Sequence, residues 1–186
     1  MNLSRHGYFL IALLLVLAGG TACPPDVAFI PDDALESAIR AEIGKPLGLL
    51  AETDLLEVAT LDARNLNIRD LTGLELCTNL KWVDLSNNQI ADITVFDELR
   101  NPNDDSDSPV EYLNLSNNEI TDITPLAGML NLSGVVLFGN QIADIGALVT
   151  NAQLGGLGEG DYVVLDVDPL NEQAVSVDIP LLQDVY

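Results

Sequence analysis

The chain has 186 residues, 48% of them hydrophobic, and it carries 29 Asp and Glu against 7 Lys and Arg, a formal net charge of −22. This length and apolar content suit one folded domain with a core, so they exclude wholesale disorder. Residues 101–186 hold 14 acidic residues and no Lys or Arg. Such a surface repels phosphate backbones, which excludes nucleic-acid binding. Because His6 is the only histidine, a chain without its N-terminus has no Ser-His-Asp or Cys-His catalysis and no zinc site that needs imidazole.

Residues 1–22 have the three parts of a secretory signal peptide. A basic start is followed by an apolar run over residues 8–18, too short to span a bilayer, and by small residues up to Cys23. The sequence Leu-Ala-Gly-Gly-Thr-Ala-Cys that ends at Cys23 resembles a bacterial lipobox, although Gly20 stands where that pattern has Leu. The resemblance implies diacylglycerol on the Cys23 sulfur, whereas the alternative is ordinary cleavage before an unmodified Cys23. Residues 23–29 then form a tether that begins with a stiff Pro-Pro pair.

The sequence of residues 30–57 predicts an N-terminal helical cap. Residues 30–44 contain a helix-starting Asp with a Glu three positions after Asp33, apolar residues at helical spacing and a glycine stop. Leu55 and Leu56 indicate a second short helix before the next segment begins.

A repeat fills residues 58–170. Its best copy reads Leu80-x-x-Val83-x-Leu85-x-x-Asn88-x-Ile90, and the pattern returns from Val110 and from Leu132. An imperfect first copy starts at Val58 with Leu66 in the Asn slot, and a degenerate fifth copy has Asp168 there. The period is 22 residues except where an insertion of eight, residues 101–108, lengthens one coil. This spacing predicts a leucine-rich repeat solenoid.

The spacing also predicts how each coil is built. The period-2 stretch forms a short strand, so the fold class is α/β, with a parallel concave sheet and short helices or turns on the convex face. Asn88, Asn118 and Asn140 form an internal ladder that satisfies backbone groups at the turns. No coil buries its apolar face alone, so both ends need caps, and residues 171–186 are predicted to be the C-terminal cap segment.

Residues 30–40, the coil sequences Asn-Gln-Ile-Ala-Asp-Ile and Asn-Glu-Ile-Thr-Asp-Ile-Thr-Pro-Leu, and the closing segment at residues 156–170 resemble the internalin-type leucine-rich repeats of bacterial surface proteins. The resemblance covers about residues 28–183 and implies protein binding, with partners that differ from member to member. Nothing here resembles the immunoglobulin-like domain that often follows such repeats, so roles in cell invasion are not implied.

Two features carry groups that bind metals or react, yet a structural role is favoured for each. Cys77 aligns with Leu99 and Met129 in the repeat, which predicts a buried apolar residue rather than a redox or disulfide partner. An aspartate two residues after the Ile of the repeat recurs in four coils, and we expect each to cap a helical turn on the convex face rather than to build a metal ladder; these are Asp70, Asp92, Asp122 and Asp144.

The insertion at residues 101–108 is a predicted surface loop. Asn103, Asp105, Asp107 and Glu111 have the alternating oxygen ligands of a calcium loop, but Ser108 occupies the position of the required Gly. A solvated loop is therefore favoured over a calcium site.

Strand alternation predicts which side chains line the concave face. They form three columns, with Thr60, Trp82, Tyr112, Gly134 and Tyr162 in the first, Asp62, Asp84, Asn114, Val136 and Val164 in the second, and Arg64, Ser86, Ser116, Phe138 and Asp166 in the third. Four of the seven aromatic residues after Cys23 fall in these columns. The predicted partner-binding residues are Trp82, Asp84, Tyr112, Asn114, Val136, Phe138, Tyr162 and Val164. The alternative is that the insertion folds over the sheet and covers the aromatic side chains.

These observations predict a non-catalytic domain that binds a protein or peptide at the bacterial cell envelope. Aromatic rings rimmed by carboxylates suit a basic or aromatic partner, and membrane contact is expected through the lipid on Cys23. The alternative is a self-associating structural envelope lipoprotein without a foreign ligand. No catalytic residues, metal ligands or cofactors are predicted, since no pair of carboxylates is placed for acid/base chemistry. The expected location is the outer membrane or cell surface, or else the periplasm or the medium.

Overall fold

The computed structural model describes residues 26–99, 108–166 and 170–171. Within them, five parallel strands form one sheet in chain order, at Thr60–Asp62 (β1), Trp82–Asp84 (β2), Tyr112–Asn114 (β3), Gly134–Val136 (β4) and Tyr162–Val164 (β5). Each coil contributes one strand, so the predicted α/β leucine-rich repeat solenoid is confirmed. The predicted signal peptide, Cys23, most of the insertion, Asp168 and most of the predicted C-terminal cap lie outside the described residues.

Short helices connect the strands. The α-helices are Asp33–Glu42 (α1), Glu52–Leu55 (α2), Val95–Glu98 (α3) and Gly146–Gln153 (α4), and 3-10 helices occupy Leu74–Leu76 and Thr124–Gly128. The first two precede β1, and the others lie in the return segments between strands, as expected for the convex face.

Helix α1 closes the N-terminal end of the sheet. The Asp32 carboxylate accepts hydrogen bonds from the backbone N–H groups of Ala34 and Leu35 at 3.0 and 3.2 Å, which caps the helix. Leu35 and Ile39 are fully buried in the same core as the coils. The helices lie where the sequence predicts them, whereas the domain boundary at residue 57 stays a prediction.

The core is a stack of equivalent apolar layers. The middle residue of each of the first four strands is fully buried, while its two neighbours on the strand point to the concave side; these residues are Leu61, Val83, Leu113 and Val135. Val163 in β5 is only half-buried. Each layer is therefore covered by the next, as in other solenoids.

The predicted asparagine ladder is present. Asn118 is typical, since its Nδ2 donates to the Leu85 and Leu115 carbonyls at 3.0 Å each while its Oδ1 accepts the Ile90 N–H at 3.1 Å. Each ladder amide thus bonds to its own coil and to the preceding one. Because the first coil has no coil before it, Leu66 can replace Asn there, and its N–H donates to Asn88 Oδ1 instead.

A buried asparagine outside the repeat motif closes the last turn. Asn151, in α4, is fully buried. Its Nδ2 donates to the carbonyls of Leu126 and Met129, and its Oδ1 accepts the Leu157 N–H at 2.7 Å. Gly156 leaves room for this amide, since a Cβ there would lie 2.2 Å from Asn151 Oδ1. The repeat pattern gives no signal for Asn151, which was not predicted.

The convex aspartates bond to the backbone where each return segment begins, but none of them occupies the N-cap position of its helix, which is Gly73, Thr94, Ile123 or Ile145. The predicted capping is therefore wrong in position, since each aspartate instead closes a tight turn that leads into the helix. Each carboxylate accepts the backbone N–H two residues later, at 2.8 to 2.9 Å. At Asp92 and Asp122 these bonds, first from the backbone N–H and then from the side chain of the following Thr, lower the pKa of the carboxyl. Among the described residues, no group of three or more His, Cys, Asp or Glu side chains is arranged to hold a metal ion.

Cys77 has the buried apolar role predicted from the repeat. It is a free thiol with no exposed surface. Burial, with a smaller contribution from the charge of Glu75, raises the pKa of the Cys77 thiol to about 12. The reactive thiolate is therefore disfavoured at neutral pH.

Candidate protein-binding surface

The sheet places the three predicted columns side by side on the concave face. Residues of the first column pair across all four strand junctions, as in Thr60 with Trp82 and Trp82 with Tyr112. The second column pairs in the same register, from Asp62 to Val164. Seven of the eight predicted partner residues thus lie on one face of the sheet, and Phe138 follows two residues after the end of β4. The binding role of all eight stays a prediction.

Three rings of the first column form an aromatic stack, which we define as Trp82, Tyr112 and Tyr162. The Trp82 and Tyr112 ring centroids are 5.3 Å apart with an interplanar angle of 9°, so these rings are stacked and nearly parallel. Tyr162 reaches Tyr112 at 6.5 Å and 50°. Trp82 is 37% exposed and Tyr162 48% exposed, so a large apolar surface faces solvent at the middle of the sheet.

Gly134 permits the third ring to join this stack. It lies between Tyr112 and Tyr162 in the first column. A Cβ at Gly134 would lie 2.8 Å from Cζ of Tyr162, so the Tyr162 ring occupies the space that a side chain would fill. The sequence columns contain this glycine, but they do not reveal that a ring crosses it.

The polar part of the second column is used internally. Asp84 is only 5% exposed. Its carboxylate accepts from the backbone N–H and the hydroxyl of Ser86, and from Asn114 Nδ2 at 3.3 Å. Asn114 Oδ1 in turn accepts from both donors of Ser116. The hydrogen-bonding groups of Asp84 and Asn114 are therefore largely used within the chain. These two residues contribute negative charge and a rigid surface to the face rather than free hydrogen-bonding groups.

The C-terminal part of the face is apolar. Val164 and Phe138 are 42% and 38% exposed, whereas Val136 is almost buried. Together with the aromatic stack they extend the apolar surface toward β5. The alternative prediction, that the insertion covers these rings, concerns residues outside the described part of the chain and stays a prediction.

Charge on this face is predominantly negative. Arg64 is the one basic residue in the three columns, and its guanidinium pairs with Asp62 at 2.7 Å. The hydrogen bond to Asp62, and then the charges of Asp62 and Asp84, raise the pKa of Arg64. The pKa of Tyr112 is also raised, chiefly by burial and further by Tyr162 and Asp84. Tyr112 is therefore a neutral hydroxyl at neutral pH.

Comparison with known proteins supports the repeat assignment. A family model described as leucine-rich repeats in two copies matches residues 110–150, and a leucine-rich repeat model matches residues 79–101. The crystal structure of an internalin, InlF of Listeria monocytogenes, superposes with a TM-score of 0.69 at 24% identity. The match covers 90% of this chain and 52% of InlF, so the chain spans about half the length of that internalin.

Two further structures match this chain with lower TM-scores. Internalin C2 of Listeria monocytogenes matches with a TM-score of 0.31 and 21% identity over 82% of this chain and 95% of its own. A Clostridium perfringens ZmpB fragment with CBM51-2 and INT domains matches with a TM-score of 0.42 and 27% identity, over 52% of this chain and 19% of its own. The fold assignment therefore depends on InlF and on the repeat models.

Proposed function

The chain is a leucine-rich repeat protein with an internalin-type fold, and on that premise we propose that it binds a protein or peptide through its concave face, without catalysis, at the bacterial cell envelope. Domains of this fold are typically scaffolds for protein interaction. The observation that carries the proposal is the solvent-exposed aromatic stack of Trp82, Tyr112 and Tyr162.

The packing of the coils does not require these exposed rings. The core layers are filled chiefly by Leu, Ile and Val side chains, so the stack adds little to them. Trp and Tyr are the residues that most often dominate binding energy at protein interfaces, because they bury much apolar area with little loss of conformational entropy. A central aromatic surface on a rigid sheet is thus suited to recognition.

Electrostatics favours a basic or aromatic partner. The net charge of −22 produces a field that accelerates encounter with a cationic surface and disfavours anionic ones. On the face itself, Asp62 and Asp166 are exposed beside the apolar area. Carboxylates at the rim therefore steer the partner, while the rings supply affinity.

Display at the envelope follows from the signal peptide and lipobox-like sequence that end at Cys23. Within the described residues, no helix is long and apolar enough to cross a membrane. We expect mass spectrometry of the membrane fraction to show an N-terminal lipopeptide that begins Cys23-Pro24-Pro25. Recovery of the native chain in the periplasm or medium with an unmodified Cys23 would contradict this part of the proposal.

The binding face is tested by crosslinking pull-down from the producing cell's envelope. Trp82→Ala and Tyr112→Ala should each weaken partner capture by about 2 kcal/mol or more with little change in melting temperature, because the rings contact solvent in the free chain. Leu47→Ala is the matched control, since Leu47 is 83% exposed but lies in the cap loop.

Two outcomes would contradict the face as the binding site. Either both single variants retain full capture, or each of them unfolds the domain. Light scattering across a concentration series distinguishes the self-associating alternative, for which we would expect an oligomer that grows with concentration and dissociates in Trp82→Ala.

A further inference from the structure

The aromatic stack ends abruptly at Trp82. The next residue of the first column is Thr60, which pairs directly with Trp82 on the neighbouring strand and has a short side chain. One face of the indole packs on Tyr112. Because the rings are nearly parallel and strands lie about 4.8 Å apart, the opposite face of the indole looks out over Thr60, in agreement with its exposure of 37%.

A carboxylate stands on the other side of Thr60. Glu42 is the last residue of α1, and its Oε1 accepts a hydrogen bond of 2.5 Å from the Thr60 hydroxyl. Both Glu42 and Thr60 are exposed to solvent. We define the slot as the surface over Thr60 that lies between the Trp82 indole and the Glu42 carboxylate.

The charges around the slot are unbalanced. Asp62, next to Thr60 in the second column, has a side chain that is 46% exposed. Its partner Arg64 lies in the third column, beyond Asp62, and is already paired. Lys81 precedes Trp82 but pairs with Glu111 at 2.7 Å. The slot therefore has an aromatic face and a carboxylate whose charge no described cation balances by an ion pair.

We propose that this slot receives an arginine side chain of the partner, an inference that rests on the proposed function. A planar guanidinium stacks on an indole face and donates a fork of N–H groups to a carboxylate. Glu42 accepts on one side while Trp82 supplies the stacking surface, so both attractions act on the same group. An apolar or aromatic side chain in the slot would gain the indole contact but would leave the Glu42 carboxylate partly desolvated.

Trp82 is the only tryptophan in the chain, so its fluorescence reports on the slot itself. The probe is the peptide acetyl-Gly-Arg-Gly-amide, and its control carries citrulline, which has nearly the same shape without the charge. We expect saturable quenching by the arginine peptide, weakened at high salt, and at least about tenfold weaker binding of the citrulline peptide. Equal binding of the two peptides, or no binding of the arginine peptide, would overturn the proposal.

Two variants test the slot. Glu42→Gln should weaken binding of the arginine peptide about fivefold or more. Thr60→Phe should abolish this binding, because the new ring would extend the stack into the slot. Glu52→Gln removes the same charge from an exposed position elsewhere in the cap and should leave binding unchanged. If Glu42→Gln and Glu52→Gln bind the arginine peptide equally well, the attraction comes from the overall negative charge of the chain, and the slot is not a binding site.

Partner capture separates this proposal from the proposed function. Loss of capture in Trp82→Ala, together with full capture by Glu42→Gln and Thr60→Phe, would retain the concave face and reject the arginine slot. Loss in all three, with Glu52→Gln unaffected, would support both. Full capture by all variants would reject the concave face itself.

Discussion

Single buried polar side chains hold neighbouring coils in register. Asn118 satisfies two carbonyls and one N–H that face each other between coils. An unsatisfied buried backbone group costs about 1–3 kcal/mol, so one amide offsets several such costs. Because each coil of a solenoid touches only its neighbours, contacts from more distant coils cannot compensate for such a loss.

Asp32 performs a similar task where the cap meets the first coil. One carboxylate oxygen caps α1, and the other accepts the N–H groups of Arg69 and Asp70 at 2.9 and 3.3 Å. Partial burial by itself would raise the pKa of Asp32, but its four backbone donors outweigh that effect and lower it. The capping role of Asp32 could be predicted from the sequence. Its hydrogen bonds to Arg69 and Asp70, 37 and 38 positions along the chain, could not.

The lowered pKa fixes the sign of the pH dependence. A carboxyl whose pKa is lower in the folded chain than in the unfolded chain stabilises the fold above its ordinary pKa, and this contribution disappears as the pH falls through the lowered value. We expect Asp32→Ala to lower the free energy of unfolding by about 1–2 kcal/mol at pH 7. The difference from the native chain should shrink in strongly acidic solution.

Denaturant titrations at neutral and acidic pH measure this difference, with Asp33→Ala as the control. Asp33 is the next residue and has the same charge, but it is the first residue of α1 rather than its cap. A loss for Asp32→Ala that stays constant with pH, or that Asp33→Ala reproduces, would show that the hydrogen bonds of Asp32 are not its source.

At the scale of elements, each strand is only three residues long, so the shape of the face depends on small differences between strands. The glycine at the start of β4 is one such difference. It leaves a gap between Tyr112 and Tyr162 that the tip of the Tyr162 ring fills. The aromatic stack therefore spans four strands although only three of them contribute a ring.

Gly134→Ala should break the stack without unfolding the coil. The three atoms nearest to the new Cβ all belong to the far end of the Tyr162 side chain. That end can rotate away, so we expect a loss of stability below about 1 kcal/mol. The displaced ring should alter the near-ultraviolet circular dichroism and weaken partner capture. Gly158→Ala is the control, because the nearest atom to a Cβ there is 3.8 Å away. An unchanged spectrum in Gly134→Ala would contradict this account of the stack.

The whole molecule is dominated by its negative charge. With 29 acidic and 7 basic residues, and only four ion pairs among the described residues, the carboxylates repel one another over most of the surface. Repulsion between exposed charges weakens as salt shortens the Debye length. The fold should therefore be least stable in dilute buffer.

We expect the melting temperature at pH 7 to rise with sodium chloride between about 10 and 200 mM, by about 2–4 °C for each kcal/mol of repulsion that is screened. Calcium should act in the same diffuse manner. Calorimetry with the native chain and with the Asp105→Asn, Asp107→Asn double variant tests this. A saturable one-site calcium isotherm that the double variant abolishes would instead establish a calcium site in the insertion.

The sequence by itself determined the solenoid, the register of the columns, the asparagine ladder and the recurrence of an aspartate in each return segment. All of these follow from a repeated spacing, and a repeat places equivalent residues beside one another whatever the details of packing. Trp82 and Tyr112 could therefore be predicted to be neighbours, since they occupy the same position in successive coils.

Only the tertiary structure decided features that depend on contacts outside that spacing. In the folded chain Asp84 is buried and hydrogen-bonded to Ser86 and Asn114. The Tyr162 ring lies over Gly134, in the space that a side chain would fill. The tertiary structure also brought Glu42 from the cap to Thr60, 18 positions along the chain. The physical reason is that exposure, ring orientation and contacts between cap and coil are set by the shapes of neighbouring side chains, which a period of 22 residues does not encode.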